Sequence, residues 1–527
     1  MPLKPLAWSF ALTTALVAPA AAQDVAARNV ILMVSDGIGF NGWLAADHYQ
    51  GLAGQQPYQV ERPDGTAPVL FGQTHWAVNL VDETGAVLDD ETPPEEAAGV
   101  MEQGYDPARR WSSFEATIRN DFPPLGIEYT SYTDSSSAGT ALHAGVKTVN
   151  GRLNTDWTGE AEFETIGHIA KAQGRAVGAV STVMASHATS ASVWAHNISR
   201  NNYSEIFNEL VEGGLDVLMG GGHPGFDASG NAVEPEEGDE TAFEFVGGRD
   251  TWERLTGEEG LNGYAFVEEA AQFEALAGGE DLPETVVGIF RSSSTTQADR
   301  EGLGEADTPS GMAFNEDVPS LATMTVGALN VLNQNEQGFF LMAEGGAVDW
   351  MGHRNDMGRF IEEQIDFNEA VEAAIEWVEA NSSWDETLLI VTSDHETGGI
   401  WGEGSWTNGE GGPVAASLED EAAVEAARFH PAEDVFNEFL AVQDRGEGRI
   451  PGHQWSSGNH TNELVPLWAL GPGSQLFAHH ARLDPGAAAL WGVGPYEWDG
   501  SIVDNTAVFH VMHAAFRADA IERELGQ

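Results

Sequence analysis

The chain has 527 residues, with 83 Asp and Glu against 23 Lys and Arg, a formal net charge of −60 and no cysteine. That charge excludes nucleic acid as a bound polyanion, and the lack of cysteine excludes disulfides and thiolate metal sites, leaving histidine and carboxylate to hold any transition metal. A 42% hydrophobic content, including 16 Trp and 24 Phe, excludes a disordered acidic chain.

The chain opens with the pattern of a signal peptide. Lys4 precedes the short apolar run 7–17, and Ala20-Ala21-Ala22 supplies small residues for cleavage after Ala22. The run is too short to span a membrane and no later segment is long and apolar enough, so the mature chain, 23–527, is expected to be exported, periplasmic or secreted, without a membrane partner. Loss of Lys4 takes the charge from −60 to −61. An acidic surface of this kind needs salt to screen its self-repulsion, which suggests a salt-adapted source.

Residues 29–34 have the length and composition of a buried strand and end at Ser35-Asp36-Gly37-Ile38-Gly39. Asp36 is placed either as an active-site carboxylate at a strand end or as the N-cap of the next helix. Residues 50–125, rich in Gly, Pro and acids, are expected to be an insertion with little regular structure of its own. In the stretch 132–148, YTDSSSAGTALHAGVKT, Asp134 and Ser135 precede a run of small residues and a helix. A serine ahead of a helix sits where free N–H groups welcome an anion, which suits a nucleophile that becomes phosphorylated. An N-cap serine on a small-residue packing face is the other reading.

Further on, 163–172 is expected to be helical and 176–180 a strand leading to Ser186-His187-Ala188-Thr189. A straight helix would hold Thr189 and Arg200 about 16 Å apart. They share a site only if the chain turns back, and Asn197 and Ser199 offer the place. Residues 215–223 read as a strand with a glycine turn, and 266–276 as a helical piece within an acidic stretch. An amphipathic helix is expected over 321–332. Strand 339–343 ends at Glu344 and is followed by Asp349, Trp350 and His353; a long helix covers 360–380. Strand 387–391 leads to Asp394-His395, and 400–458 forms a second insertion. His460, strand 465–470 and a last helix over 507–517 complete the chain. Alternating strands and helices predict an α/β fold, a doubly wound, mostly parallel central sheet with helices on both faces and surface insertions.

Three strand runs therefore end in carboxylates, Asp36, Glu344 and Asp394. Neighbouring parallel strands lie about 4.8 Å apart, so these groups converge on one edge. Their repulsion calls for divalent cations, and the nearby histidines select a borderline metal such as zinc. Asp349 with His353, or Asp394 with His395, could chelate one ion.

The pattern resembles the alkaline phosphatases. The matching pieces are SDGIG at Asp36, TDSSSAGTALHAGVKT at Ser135, HATSASVWAHNISR ending at Arg200, EGGAVDWMGH from Glu344 to His353, TSDHETGG at Asp394 and NHT at His460. The resemblance implies an enzyme that hydrolyses small phosphate monoesters through a phosphoserine on Ser135, with two zincs and one magnesium. It implies Asp349, His353 and His460 as ligands of one zinc and Asp36, Asp394 and His395 as ligands of the other. Asp36 would bridge to magnesium held by Thr189 and Glu344, and Arg200 would grip the phosphoryl oxygens. His187 and Trp350 stand where some family members carry Asp and Lys; His187 is expected to stand behind the ligands rather than among them. A homodimer is the assembly the family suggests. A phosphodiesterase or other ester hydrolase of the same superfamily is the first alternative. A non-catalytic metal- or phosphate-binding protein is the second.

Overall fold

The computed structural model describes residues 26–107 apart from 89, 91 and 103, residues 132–405 apart from 404, and residues 440–525 apart from 493. The leader 1–22 and the middle of the second insertion lie outside the described residues. Eleven strands make the central sheet. Their order across it is Arg482–Leu483, Ser501–Asp504, Val69–Thr74, Val465–Leu470, Thr387–Thr392, Asn29–Ser35, Phe339–Gly345, Ala176–Met184, Val217–Gly221, Val286–Ile289 and Ala265–Val267. From 387–392 to 265–267 every pairing is parallel. Strand 465–470 runs against both its neighbours, and 482–483 against 501–504.

The central strands are buried on every residue and largely apolar because both faces are covered. Ile31 and Met33 of strand 29–35 enter one core, with Trp43, Met324, Phe360 and Phe367 of helices Phe40–Gln50, Leu321–Leu332 and Met357–Asn381. Val30, Leu32 and Val34 enter the other, with Leu142, Phe207 and Val511 of helices Ser135–Ala144, Tyr203–Glu212 and Thr506–Leu525. This is the doubly wound arrangement expected from the sequence.

Two details differ from expectation, and a third follows the turn that Asn197 and Ser199 offered. Residues 69–74, inside the stretch read as irregular, form an inner strand of the main sheet, paired to 465–469 on one side and 502–504 on the other. Gly72 there leaves room for Trp498, whose ring would lie 2.6 Å from any added Cβ. Buried Gln73 donates to the Ser393 carbonyl at 2.7 Å, so a polar residue serves as a tie between strand ends. The segment 266–276 divides into strand Ala265–Val267 and helix Ala270–Ala277. Finally, the helix after His187 is one turn, Ala188–Ala191, and the chain then folds back.

Candidate metal centre and nucleophile

Strand 29–35 lies between 387–392 and 339–345, with Val34 opposite both Thr392 and Glu344. Asp36, Glu344 and Asp394 therefore leave one edge of the sheet together. The Gly37 N–H donates to Asp394 Oδ1 at 3.1 Å and the Ile38 N–H to Ser393 Oγ at 3.0 Å, tying the two strand ends. Gly37 has φ +75°, and a Cβ there would lie 2.6 Å from that of Asp349. Glycine thus lets helix Ala347–Arg354, which carries Asp349 and His353 one turn apart, come against the first strand.

His460 arrives through a short antiparallel ladder that pairs Thr397 with His460 and Glu396 with Thr461. Its Nδ1–H donates to the Thr133 carbonyl at 2.8 Å, and that of His353 to the Gly458 carbonyl at 2.9 Å. Carbonyls only accept, so Nδ1 carries a proton in both rings, and in the neutral tautomer that this fixes the Nε2 atom turned inward is a lone-pair donor. Those atoms lie 3.1 Å apart, and each is 3.5 Å from Asp349. Two facing lone pairs beside a carboxylate call for a cation between them. In the adjoining set, His395 Nε2 lies 3.5 Å from Asp36 Oδ1 and 3.3 Å from Asp394 Oδ2. Ligand atoms of Asp36, Asp394 and His395 fall within 4.8 Å of one another, as do those of Asp349, His395 and His460.

Asp36 Oδ1, Asp394 Oδ2 and both Glu344 carboxylate oxygens are buried without a hydrogen-bond partner. Burial and the neighbouring Asp394, Asp349 and Glu344 push Asp36 well above the ordinary carboxylate range. Burial raises Glu344 to about 8, and burial with Asp349 raises Asp394 to about 6. Burial and the adjacent His460, whose ring stacks 3.8 Å away, keep His395 neutral. Orphaned oxygens and neutral imidazole nitrogens form a donor set that fits borderline or hard divalent ions. Thr189 Oγ1 donates to Asp36 Oδ2 at 3.2 Å on the Glu344 side.

Ser135 is the first residue of its helix, and the cap is Asp134, which accepts from the Ser137 N–H at 2.9 Å and from Ser136 Oγ. Ser135 Oγ is thereby released toward the metal ligands, 3.2 Å from His395 Nε2. The small residues beyond it pack on the helix that follows His187; a Cβ on Gly139 would lie 2.4 Å from Ser192 Oγ. Asn197 turns the chain by accepting from the Ser199 N–H at 3.0 Å, and Arg200 Nη1 then meets Asp134 Oδ2 at 3.0 Å. Burial disfavours the Arg200 charge, but Asp134 more than restores it. Asp134 was passed over as a site residue in the sequence, although its place before Ser135 and at a helix start marked it. It orients both the serine and the arginine.

His187 lies edge-on to Trp350, with centroids 5.6 Å apart, and stacks on Tyr203 at 6.0 Å. Burial and Arg200 bring its pKa down to about 3, so the ring is neutral; its Nδ1 has no partner. Asp134, Arg200 and His460 face an open cavity of about 890 Å³.

The sequence profile of the family described as alkaline phosphatase matches residues 126–516, well over half of the chain. The chain belongs to the alkaline phosphatase family. It is similar to alkaline phosphatase 4 of Bacillus subtilis, 32% identical over 381 residues that cover 66% of this chain and 73% of that one. It is also similar to the Escherichia coli alkaline phosphatase, at 27% identity over 71% of each chain. In structure it resembles the Thermus thermophilus alkaline phosphatase, with TM-score 0.54, 21% identity and 96% of each chain covered. The enzyme of the Antarctic bacterium TAB5 gives 0.53 at 20% identity, over 94% of this chain and 98% of that one. Two variants of that Antarctic enzyme, with a histidine replaced by aspartate or glutamate, were solved with Mg bound in the M3 site. Like its family, this phosphatase is a phosphoric monoester hydrolase; the family is metal-dependent, and a buried His and Asp cluster is present here. Among the described residues no helix is long and apolar enough to cross a membrane.

Proposed function

We propose that the protein is an exported alkaline phosphatase that works through a phosphoserine on Ser135, with two zincs and one magnesium. The observation that carries this reading is Ser135 Oγ, left out of the helix cap and within hydrogen-bond reach, 3.2 Å, of His395 Nε2. Asp349, His353 and His460 would hold one zinc, and Asp36, Asp394 and His395 the other. Thr189 and Glu344, with Asp36, would hold magnesium, with His187 and Trp350 behind them. When bound, the ions neutralise the ester's charge and lower the pKa of oxygens in contact with them.

The protein's own residues do the rest. The Arg200 fork binds two phosphoryl oxygens and sets phosphorus in line with Ser135 Oγ. Asp134 holds that fork and the helix start in one frame, so the nucleophile and the grip do not drift apart. Ser135 Oγ forms the new P–O bond as the alcohol oxygen departs with the bonding pair. Water then attacks phosphorus from the side the alcohol left, and the Ser135 oxygen is returned. Free N–H groups at the helix start favour the added negative charge on the serine.

Residues 1–22 are proposed as a cleaved leader, 23–527 as one unit, the export as periplasmic or secreted, and a homodimer as the assembly. The deciding experiment is release of p-nitrophenol from its phosphate ester at alkaline pH, as isolated, after chelation, and after zinc and magnesium are returned. Acid-quenched protein should carry labelled phosphate on Ser135, and S135A should carry none; label retained in S135A sinks the assignment. H187D, a His-to-Asp exchange of the kind solved with bound Mg in the Antarctic enzyme, should tighten magnesium here, read by magnesium titration of a phosphate-free sample. Unaltered magnesium affinity would place the third ion away from His187.

A further inference from the structure

Among the described residues two arginines and no lysine line the mouth cavity, in a chain with only 23 basic residues against 83 acidic ones. Arg200 is one; Arg152 is the other. Arg152 is buried, at 6% exposure, so its guanidinium is a built feature of the cavity wall rather than a mobile surface charge. Its Nε donates to the Trp157 carbonyl at 3.3 Å. Among the described residues no carboxylate pairs with it. Asp90 and Asp134 act on it only from a distance. Asp134 is engaged by Arg200, Ser136, Ser137 and the Gly151 N–H, and Asp90 accepts from Asn150 Nδ2 at 3.0 Å.

The turn that presents Arg152 is fixed to the phosphate grip. The Gly151 N–H donates to Asp134 Oδ2 at 3.0 Å, and the Gly151 carbonyl accepts from the Arg200 N–H at 2.8 Å. One residue thus links the backbone of both arginines to the aspartate that holds Ser136 and Ser137. A buried cation with donors to spare, held in a set relation to a phosphoryl grip, is prepared for a second anion. On a protein of net charge −60, multiply charged esters are also the ones most in need of local positive potential.

We propose that Arg152 forms a second anion subsite in the mouth cavity, which favours phosphate monoesters whose alcohol carries another anionic group, a carboxylate or a second phosphate. The proposal rests on the reading that Arg200 grips the reacting phosphoryl group. Its test compares metal-loaded wild type with R152Q, R152K and D90N at constant ionic strength. Two ester pairs serve as probes: phenyl phosphate with 4-carboxyphenyl phosphate, and glycerol 3-phosphate with 3-phosphoglycerate. The readout is the kcat/KM ratio, carboxylated over uncharged, within each pair. In R152Q that ratio should fall about tenfold in at least one pair, carried by KM, the scale of one lost charge-assisted hydrogen bond. R152K should fall less, and D90N should raise the ratio. Ratios within about twofold of wild type in both pairs, and for 1,4-phenylene bisphosphate over phenyl phosphate, in R152Q of native melting temperature, overturn the subsite. If R152Q fails to fold, R152K and D90N decide it, and wild-type ratios in both overturn it. Wild type inert toward all four esters would instead overturn the monoesterase reading, and the subsite with it. A fall in R152Q for 1,4-phenylene bisphosphate over phenyl phosphate, with both carboxylate ratios unchanged, identifies the second phosphate as the group bound.

Discussion

Among the buried acidic side chains of the described residues, those at the sheet edge and those on the long helix make the clearest contrast, and only the first group has the build of a metal centre. At the sheet edge, Asp36, Asp349 and Asp394 bring oxygens within 4.8 Å of imidazole nitrogens, the one such convergence among the described residues. On helix Met357–Asn381, Glu362, Glu363 and Asp366 line a cavity of about 510 Å³ with no histidine in its wall. There the charge is answered otherwise. Glu362 takes Arg300 at 2.8 Å and the Ser310 N–H at 2.9 Å, and Asp366 accepts from the Leu321 N–H. Burial, then Asp366 and Glu362, push Glu363 well above the carboxylate range, so it is held as the neutral acid. Buried carboxylates alone do not make a metal site; convergence on a point, with neutral imidazoles facing it, does.

The difference is open to experiment. The largest effect belongs to the sheet edge. D394A should lower kcat/KM by at least about 10³-fold and remove close to one zinc per chain, measured by elemental analysis; full metal content in an inactive variant would contradict the ligand assignment. Next comes the helix cluster. R300M leaves Glu362 charged and unpaired at a site with 0% and 1% side-chain exposure, which should cost about 3–5 kcal/mol in urea unfolding. Turnover per folded molecule should stay close to wild type, and R300M with E362M should recover most of the loss. A drop in metal content in R300M would tie the two clusters together after all.

A smaller effect concerns pH. Burial raises Asp366 to about 7 in the folded protein, against about 4 unfolded. A raised folded pKa means that stability from this group is complete below about pH 4 and is lost as pH rises through about 7. D366N should remove that part of the slope, on the order of 1–3 kcal/mol across the window. An unchanged slope would show that Asp366 is ionised in the fold. The smallest effect per group concerns the exposed acids. Between 0.1 and 1 M NaCl the screening length falls from about 10 to about 3 Å, so the melting temperature should rise by a few degrees while both buried clusters keep their behaviour. A flat response would remove the reason to regard the surface as salt-adapted.

Much of the edge cluster was readable from the chain because buried parallel strands are largely apolar, so that Asp36, Glu344 and Asp394 stood out at their ends. The one-turn spacing of Asp349 and His353 was equally plain. The turn that returns Arg200 was signalled by Asn197 and Ser199. What escaped notice lay where polar residues do the packing. Strand 69–74 contains Gly72 and Gln73, whose fit depends on Trp498 and the Ser393 carbonyl far along the chain. Arg152 looks like an ordinary loop charge until tertiary structure buries it beside the phosphate grip. Helix bounds shifted for a related reason: at Thr165 the side chain accepts from the His168 N–H, which starts that helix three residues after 163.

The hydrogen bond from His460 to the Thr133 carbonyl joins residues 327 positions apart, and that from the Gly37 N–H to Asp394 joins residues 357 apart. Contacts of such span close late in folding, since long loops must lose their entropy before the contact returns anything. As the chain is synthesised, Asp36 and Ser135 emerge long before the histidine that completes the cluster. An ion held between Asp349 and His460, as proposed above, would therefore mark a chain whose segment 460–461 has already docked. Metal uptake would then report on most of the fold rather than guide its beginning.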